Sequence, residues 1–166
     1  MSKSKIQIIT ASEQEDILKQ TFEYLKENQL KLATAESCTG GKIASLITSL
    51  SGSSAIFQGG VVSYSNLSKI NLLGVNEETL EMHGTVSEEV AAEMAAGALE
   101  KFNADIAIST TGIAGPEGGS KEKPVGTVCF GLAKAGQVKT FRKFFEGARE
   151  RVQVKATNFA LSFMCD

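Results

Sequence analysis

The most informative segment of the sequence is Thr34-Ala35-Glu36-Ser37-Cys38-Thr39-Gly40-Gly41, which continues into Lys42-Ile43-Ala44-Ser45-Leu46-Ile47. Apolar residues precede this segment, small and hydroxyl residues make up most of it, and residues at helical spacing follow it. This order predicts a strand, a tight turn and a helix start. Free backbone N–H groups at the helix start would then face the hydroxyl of Ser37. A nucleophile beside such donors suits acyl transfer. The segment alone fits equally well a simpler interpretation, in which Ser37 or Thr39 only caps the helix.

Helix-like and strand-like patterns alternate outward from this turn. Helical spacing predicts helices over 13–28, 40–50, 66–73, 87–102 and 149–164, with a short one opening at 76–78 and a capping box at Ser12-Glu13-Gln14-Glu15 before the first. Strands are predicted over 31–36, 55–64, 104–109, 125–133 and 138–145, the last two as a hairpin. Helices between the early strands and a late hairpin predict a three-layer α/β/α sandwich with a mixed central sheet. We expect a single domain over 12–166 after a polar tail over 1–11.

The composition limits the classes of function. The chain has 166 residues, of which 42% are hydrophobic and 22% charged, and a net charge of −2, which fits one soluble domain and gives no basis for nucleic-acid binding. No apolar run has the length of a bilayer span and the N-terminus lacks the order of a signal peptide, so we expect a cytoplasmic protein without a membrane partner. Three cysteines and one histidine without metal spacing predict reduced thiols and no metal site. The apolar helix faces are compatible with a homodimer, although the sequence reveals no interface.

Candidate catalytic residues follow the predicted strand ends, where open α/β sheets bind their ligands. Tyr64 and Lys69 lie five residues apart across a strand-to-helix turn, and a lysine in a desolvated site can act as the base for a serine. Alternatively, Lys69 is a solvated helix residue and Tyr64 a packing residue. Cys38 is a rival to Ser37 as nucleophile, because a helix start lowers the pKa of a thiol. His83 has no neighbouring acid or nucleophile in a recognisable pattern and is interpreted as a turn or capping residue.

A glycine-rich segment, Thr110-Thr111-Gly112-Ile113-Ala114-Gly115-Pro116-Glu117-Gly118-Gly119-Ser120, follows another predicted strand. Glycines let backbone N–H groups approach a phosphate closely, but the segment matches neither a Walker loop nor a dinucleotide fingerprint. A flexible surface loop explains it equally well. Arg149 begins the last predicted helix, where its guanidinium could bind a phosphate or a carboxylate, or simply lie at the surface.

Taken in order, these motifs resemble the CinA C-terminal domain family, the bacterial nicotinamide-nucleotide amidases, over residues 12–164. The resemblance is carried by Ala35-Glu36-Ser37-Cys38-Thr39-Gly40-Gly41, Gly52-Ser53-Ser54, Tyr64-Ser65-Asn66 with Lys69, His83-Gly84 with Val86-Ser87, Thr111-Gly112-Ile113-Ala114-Gly115-Pro116 with Gly118-Gly119, and Lys123-Pro124-Val125-Gly126-Thr127-Val128. The family occurs as a stand-alone protein and as the C-terminal half of a longer competence/damage-inducible protein. This chain is similar to the stand-alone form.

The resemblance implies an amidohydrolase that converts nicotinamide mononucleotide to nicotinate mononucleotide and ammonia in NAD recycling, without a metal or organic cofactor. It implies Ser37 as the nucleophile and Tyr64 and Lys69 as its activating partners. The candidate substrate-binding residues are Thr39, Gly40 and Gly41 at the oxyanion site, and Thr111, Gly112, Gly115 and Arg149 around the rest of the substrate, with Arg149 and the 112–119 loop expected at the 5′-phosphate. Whether the Ser37 proton reaches Lys69 directly or through Tyr64 stays open. Two alternatives also remain: a catalytically silent nucleotide-binding domain, and a competence- or damage-associated interaction domain.

Overall fold

The computed structural model describes residues 10–165. In chain order the elements are α1 (Ala11–Glu27), β1 (Leu32–Glu36), α2 (Lys42–Thr48), a short 3-10 helix (Ser53–Ala55), β2 (Phe57–Val62), α3 (Asn66–Leu73), α4 (Glu77–His83), α5 (Glu88–Lys101), β3 (Ile106–Gly112), β4 (Thr127–Lys134), β5 (Gln137–Phe144) and α6 (Arg149–Phe163). None of these helices has the length and apolar character that crossing a bilayer requires.

The five strands form one mixed sheet in the order β2-β1-β3-β4-β5. β1 runs parallel to both β2 and β3, whereas β3–β4 and β4–β5 are antiparallel pairs. Glu36 at the end of β1 is level with Val62 of β2 and Thr110 of β3. The segments that follow these three strands therefore meet at one edge of the sheet, as predicted for a ligand-binding crevice.

Two hydrophobic clusters lie on opposite faces of the sheet, which confirms the predicted three-layer α/β/α sandwich. One contains Leu32 together with residues of α1, α2 and α6, and the other contains Ala33 and Ala35 together with residues of α3 and α5. Because side chains alternate along a strand, odd positions of β1 face α3 and α5, and even positions face α2. The same alternation, continued past the strand end, turns Ser37 toward the layer that contains α3.

A glycine in α5 lets the end of α3 lie close to α5. A Cβ atom added at Gly97 would lie 1.9 Å from the carbonyl oxygen of Leu73, the last residue of α3. Only glycine permits this approach of helix to backbone. The position of α3 matters for function, because this helix carries Lys69.

The structure corrects two of the predicted boundaries. The N-cap of α1 is Thr10, which accepts from the N–H of Glu13 and forms the capping box, so the helix begins before the predicted cap at Ser12. β3 continues through Thr111 and Gly112, which pair with β4, whereas the sequence pattern predicted a loop for both. That prediction followed the glycine-rich composition of the segment, which is typical of loops, and composition does not reveal that these two residues pair with β4. Residues 1–9 of the predicted tail lie outside the described residues.

Candidate active site

The segments after β1, β2 and β3 enclose a small cleft at the carboxyl edge of the sheet. Its volume is about 140 Å³, and it is lined by Ser37, Cys38, Tyr64, Thr85, Thr111, Gly112, Ala114 and Arg149. Pockets that enclose a drug-sized ligand are generally larger, about 300–1,000 Å³. The cleft therefore has room for the reactive end of a ligand, and the remainder would lie over its rim.

A buried carboxylate shapes the turn that carries Ser37. Glu36 is 1% exposed, and its carboxylate accepts four hydrogen bonds, from the Thr39 hydroxyl at 2.6 Å and from three N–H groups at 2.9–3.1 Å. Those N–H groups belong to Gly41, Ile43 and Ala44. They are the orphan donors at the N-terminus of α2, where a negative charge is favourable. Glu36 therefore caps the helix, and the hydroxyl of Ser37 remains available.

Lys69 reaches across from α3 to the serine. Its Nζ lies 2.9 Å from Ser37 Oγ, 2.7 Å from the carbonyl oxygen of Ser63 and 3.3 Å from that of Tyr64. The side chain is fully buried, so the interpretation of Lys69 as a solvated helix residue is wrong. Burial lowers the pKa of Lys69 from 10.5 to about 8, because the interior disfavours the ammonium.

The partners of Lys69 determine which proton transfers are possible. A neutral amine has two N–H bonds and one lone pair, and the carbonyls of Ser63 and Tyr64 accept the two N–H bonds. In the neutral amine the lone pair is then left for the Ser37 hydroxyl, to which the ammonium form of Lys69 donates at 2.9 Å. After proton transfer, the ammonium has three donors and three acceptors. Lys69 can therefore act as the base for Ser37 by direct contact.

The thiol beside the serine is poorly suited to nucleophilic attack. Cys38 is 5% exposed, and burial raises the pKa of its thiol to about 12. The thiolate is the reactive form of cysteine. The helix-start effect that made Cys38 a rival candidate is thus outweighed by the loss of solvent, which favours the neutral thiol.

Tyr64 contributes to the site through two different groups. Its backbone carbonyl is near Lys69, but its hydroxyl accepts from the Nη2 of Arg149 at 3.0 Å. The Nη1 of Arg149 donates to the carbonyl oxygen of Gly115 at 2.9 Å. The phenol and the guanidinium thus form one rim of the cleft, which joins the segment after β2 to the start of α6 and the glycine-rich loop.

The other candidate binding residues divide into two groups. Thr111 and Gly112 line the cleft, and the Thr111 hydroxyl donates to the carbonyl oxygen of Thr85 at 2.8 Å. Thr39 is fully buried and its hydroxyl contacts Glu36 and Thr110. Gly40 and Gly41 have positive φ angles of 60° and 94° and give their N–H groups to Ser37 O and Glu36. Thr39, Gly40 and Gly41 therefore form the turn, and the structure does not place them among the residues that line the cleft.

His83 lies away from these groups. It is the last residue of α4, and its Nδ1 lies 3.5 Å from Glu89 at a largely exposed position. Its carbonyl oxygen accepts from Lys123. Within residues 10–165, no three His, Cys, Asp or Glu side chains are grouped so that they could hold a metal ion.

Three residues at or beside the site, Glu36, Thr85 and Gln153, had no role predicted from the sequence. Gln153, on α6, donates from Nε2 to the carbonyl oxygen of Cys38 at 2.9 Å. A glutamate in an otherwise apolar strand directly before a serine was a usable signal for Glu36, because buried carboxylates require several donors. No local pattern marks Thr85 or Gln153, since both reach the site only through tertiary packing.

The fold and the Ser37–Lys69 contact together define the class of protein: a three-layer α/β domain with a serine–lysine pair at the carboxyl edge of a mixed sheet. The chain belongs to the CinA C-terminal domain family, whose model matches residues 14–166. This confirms the family resemblance found in the sequence.

Several relatives are similar over most of their length. The nicotinamide-nucleotide amidohydrolase PncC of Escherichia coli strain K12 is 51% identical over 154 residues, which cover 92% of this chain and 93% of that protein. The protein of the same name from Enterobacter agglomerans is 55% identical over 138 residues, 82% of this chain and 84% of the relative. A solved structure of a CinA superfamily protein from Klebsiella pneumoniae 700603 superposes with a TM-score of 0.89 at 39% identity, covering 92% of this chain and 95% of the other.

Proposed function

We propose that this protein hydrolyses the carboxamide of nicotinamide mononucleotide to nicotinate mononucleotide and ammonia, with Ser37 as the nucleophile. The single observation that supports this most strongly is the 2.9 Å contact between a fully buried lysine amine and the Ser37 hydroxyl. The substrate is taken from the relatives named amidohydrolases of the nicotinamide nucleotide. If this protein has the activity for which those relatives are named, its reaction would contribute to NAD recycling.

The acylation half of the reaction follows from the Lys69 contacts. Ser37 Oγ attacks the carboxamide carbon while its proton passes to the neutral amine of Lys69. The carbonyl oxygen becomes an oxyanion, and Cys38, which lines the cleft beside Ser37, is the residue of this turn whose N–H is best placed to stabilise it. The C–N bond then breaks as Lys69 returns the proton to the nitrogen, and ammonia leaves. The nicotinoyl group remains as an ester on Ser37.

Deacylation uses the same two residues. A water molecule attacks the ester and gives its proton to Lys69, and collapse of the second tetrahedral intermediate breaks the bond between the acyl carbon and Ser37 Oγ. The proton on Lys69 returns to Ser37. The carboxylic acid that is released loses its remaining proton to the solvent, which gives the nicotinate carboxylate and the restored enzyme, so the two halves together consume one water per amide.

Arg149 and Tyr64 are proposed to bind the part of the substrate that extends from the cleft. Arg149 donates one N–H group to Gly115 and one to Tyr64, and the remaining N–H groups of its guanidinium can donate to a phosphate. Because the cleft is small, we expect the phosphate to lie outside it, at this rim. Thr111 and Gly112 would contact the pyridine ring.

The test is release of ammonia and nicotinate mononucleotide from nicotinamide mononucleotide by the purified protein, with Ser37→Ala as the blank. Release by the wild type alone supports the proposal. Binding of the mononucleotide without ammonia release would favour the silent nucleotide-binding domain, and neither binding nor release would favour the interaction domain.

A further inference from the structure

One hydroxyl beside the serine–lysine pair has no hydrogen-bond partner. The Ser63 side chain is fully buried, and its Oγ lacks a partner among residues 10–165. A buried hydroxyl in this state costs free energy, because it has lost its hydrogen bonds to water. Such groups are rare in native folds, and a role in the chemistry of a neighbouring site is one reason why a fold keeps them.

The strand register places this hydroxyl beside Ser37. The N–H of Ser63, directly after β2, donates to the carbonyl oxygen of Glu36 at 2.8 Å, so Ser63 is level with Ser37 on the neighbouring parallel strand. Val61 packs against the hydrophobic cluster on the face of α3 and α5. Because side chains alternate along a strand, the Ser63 side chain faces this same layer, which also contains Lys69.

The backbone of Ser63 already contacts Lys69. Its carbonyl oxygen accepts from Lys69 Nζ at 2.7 Å, the shortest of the three contacts of that amine. Rotation about the Cα–Cβ bond of a serine moves the hydroxyl among three staggered positions and leaves the carbonyl where it is. The Ser63 hydroxyl is thus tethered beside the amine, and turning towards it requires no movement of the backbone.

Attack by Ser37 changes the acceptors that are available to Lys69. Before the reaction, the ammonium has three donors and three acceptors, which are Ser37 Oγ and the carbonyl oxygens of Ser63 and Tyr64. When Ser37 Oγ bonds to an electrophile and its proton passes to Lys69, this oxygen becomes a weaker acceptor. The ammonium then has three donors for two carbonyl acceptors, and an unpaired donor on a buried cation is costly.

We propose that Ser63 is a positioning residue, whose hydroxyl accepts from the Lys69 ammonium once Ser37 Oγ has bonded to the substrate. The hydroxyl thereby holds the protonated amine beside the reacting atoms until its proton is passed on. Because Ser63 Oγ is unpartnered before the reaction, the contact stabilises the transition state more than the ground state, which is what raises a rate. The proposal rests on the proposed function for the roles of Ser37 and Lys69, and not for the identity of the substrate.

The test measures the reaction of Ser37 with a fluorophosphonate probe, beside ammonia release from nicotinamide mononucleotide. In the labelling step Ser37 Oγ bonds to phosphorus, fluoride leaves with the electron pair of the P–F bond, and the serine proton passes to Lys69. The second-order labelling rate is measured against pH for the wild type, Ser63→Ala and Thr34→Val, and urea unfolding compares their stability. Thr34→Val is the matched control, because the Thr34 hydroxyl is also fully buried and unpartnered within residues 10–165, but lies at an even position of β1, which faces α2.

We expect Ser63→Ala to lower the plateau labelling rate by about 10- to 100-fold, the range for a lost hydrogen bond to a charged group. The pH midpoint of labelling should keep its wild-type value, because Lys69 has three other acceptors before the reaction. Thr34→Val should label at the wild-type rate. Both variants should resist urea at least as well as the wild type, since each loses a buried hydroxyl without a partner.

Three results would overturn the proposal. An unchanged labelling rate in Ser63→Ala would mean that the hydroxyl has no part in the reaction. A rate loss accompanied by a moved pH midpoint or by a lower urea midpoint would mean that Ser63 acts through the fold around Lys69. An equal rate loss in Thr34→Val would assign the effect to packing of the sheet.

The same experiment separates this proposal from the proposed function. A wild type that labels rapidly but releases no ammonia contradicts the substrate, and the Ser63 variant is still judged by labelling. A wild type that labels no faster than Ser37→Ala contradicts both, because Ser37 would then not be an activated nucleophile.

Discussion

Lys69 Nζ lies 2.9 Å from Ser37 Oγ, and the two residues come from different layers of the sandwich and meet at the carboxyl edge of the sheet. Ser37 stands at the end of β1, and Lys69 is carried by α3, which packs closely against Gly97 of α5. Their contact combines a buried amine of lowered pKa with a hydroxyl, and this combination determines the expected behaviour of the variants.

Ser37→Ala should reduce turnover by roughly 10⁴- to 10⁶-fold, as loss of a covalent nucleophile does. Cys38→Ala should retain most of the activity, because burial keeps the Cys38 thiol protonated. Ser162→Ala, at an exposed serine of α6, controls for the substitution itself. Steady-state ammonia release measures all three. Substantial turnover by Ser37→Ala, lost on adding Cys38→Ala, would assign the nucleophile to the thiol.

The contribution of Lys69 to the stability of the protein should increase with pH between about 8 and 10.5. The pKa of Lys69 is about 8 in the folded protein and 10.5 for a lysine in its ordinary solvated state, so in this window Lys69 binds more protons in the unfolded chain than in the native state. This contribution therefore rises with pH, by up to about 3 kcal/mol at about 1.4 kcal/mol per pKa unit. The buried thiols of Cys38 and Cys129 act in the opposite direction, because burial raises their pKa values, but they do so in the wild type and in Lys69→Met alike. Urea unfolding of the wild type and Lys69→Met at pH 7.5 and 10.5 checks this. Equal pH dependence in both proteins would contradict burial of a titrating amine.

Arg149→Ala should raise KM for nicotinamide mononucleotide by about 10- to 100-fold, the usual range for a lost hydrogen bond to a charged group. Its effect on kcat should be smaller, since a phosphate contact away from the reacting amide stabilises ground and transition states alike. Arg151→Ala, two residues along α6, is the control. The dephosphorylated riboside provides the comparison: equal losses on riboside and nucleotide would exclude Arg149 as the phosphate ligand.

Glu36→Gln should lower the free energy of unfolding by about 1–3 kcal/mol, because an amide places an N–H₂ group against backbone donors that the carboxylate satisfies. Turnover should fall as well, since the Ser37 turn loses its anchor. Glu78→Gln makes the same change at the exposed first turn of α4 and should cost only a few tenths of a kcal/mol. Urea denaturation compares the two. Similar stability of both variants would refute the anchoring role of Glu36.

The sequence was sufficient to predict the layers of the fold because the apolar patterns around β1, α5 and α6 have clear periods. It was also sufficient to select Ser37 and Lys69 as candidates, since each follows a strand. It could not predict which group of Tyr64 would face Lys69, because a turn places the backbone carbonyl there and leaves the phenol to Arg149. The link from Gln153 to Cys38 spans 115 residues and has no local signal.

The proposed role of the buried Lys69 amine as the base for Ser37 can be tested through the pH dependence of kcat/KM. We predict that kcat/KM increases with pH to a plateau, with a midpoint near the Lys69 pKa of about 8. Lys69→Met should be nearly inactive, and His83→Ala should keep the wild-type profile. A midpoint near the ordinary histidine pKa of about 6.5, removed by His83→Ala while Lys69→Met stays fully active, would contradict it.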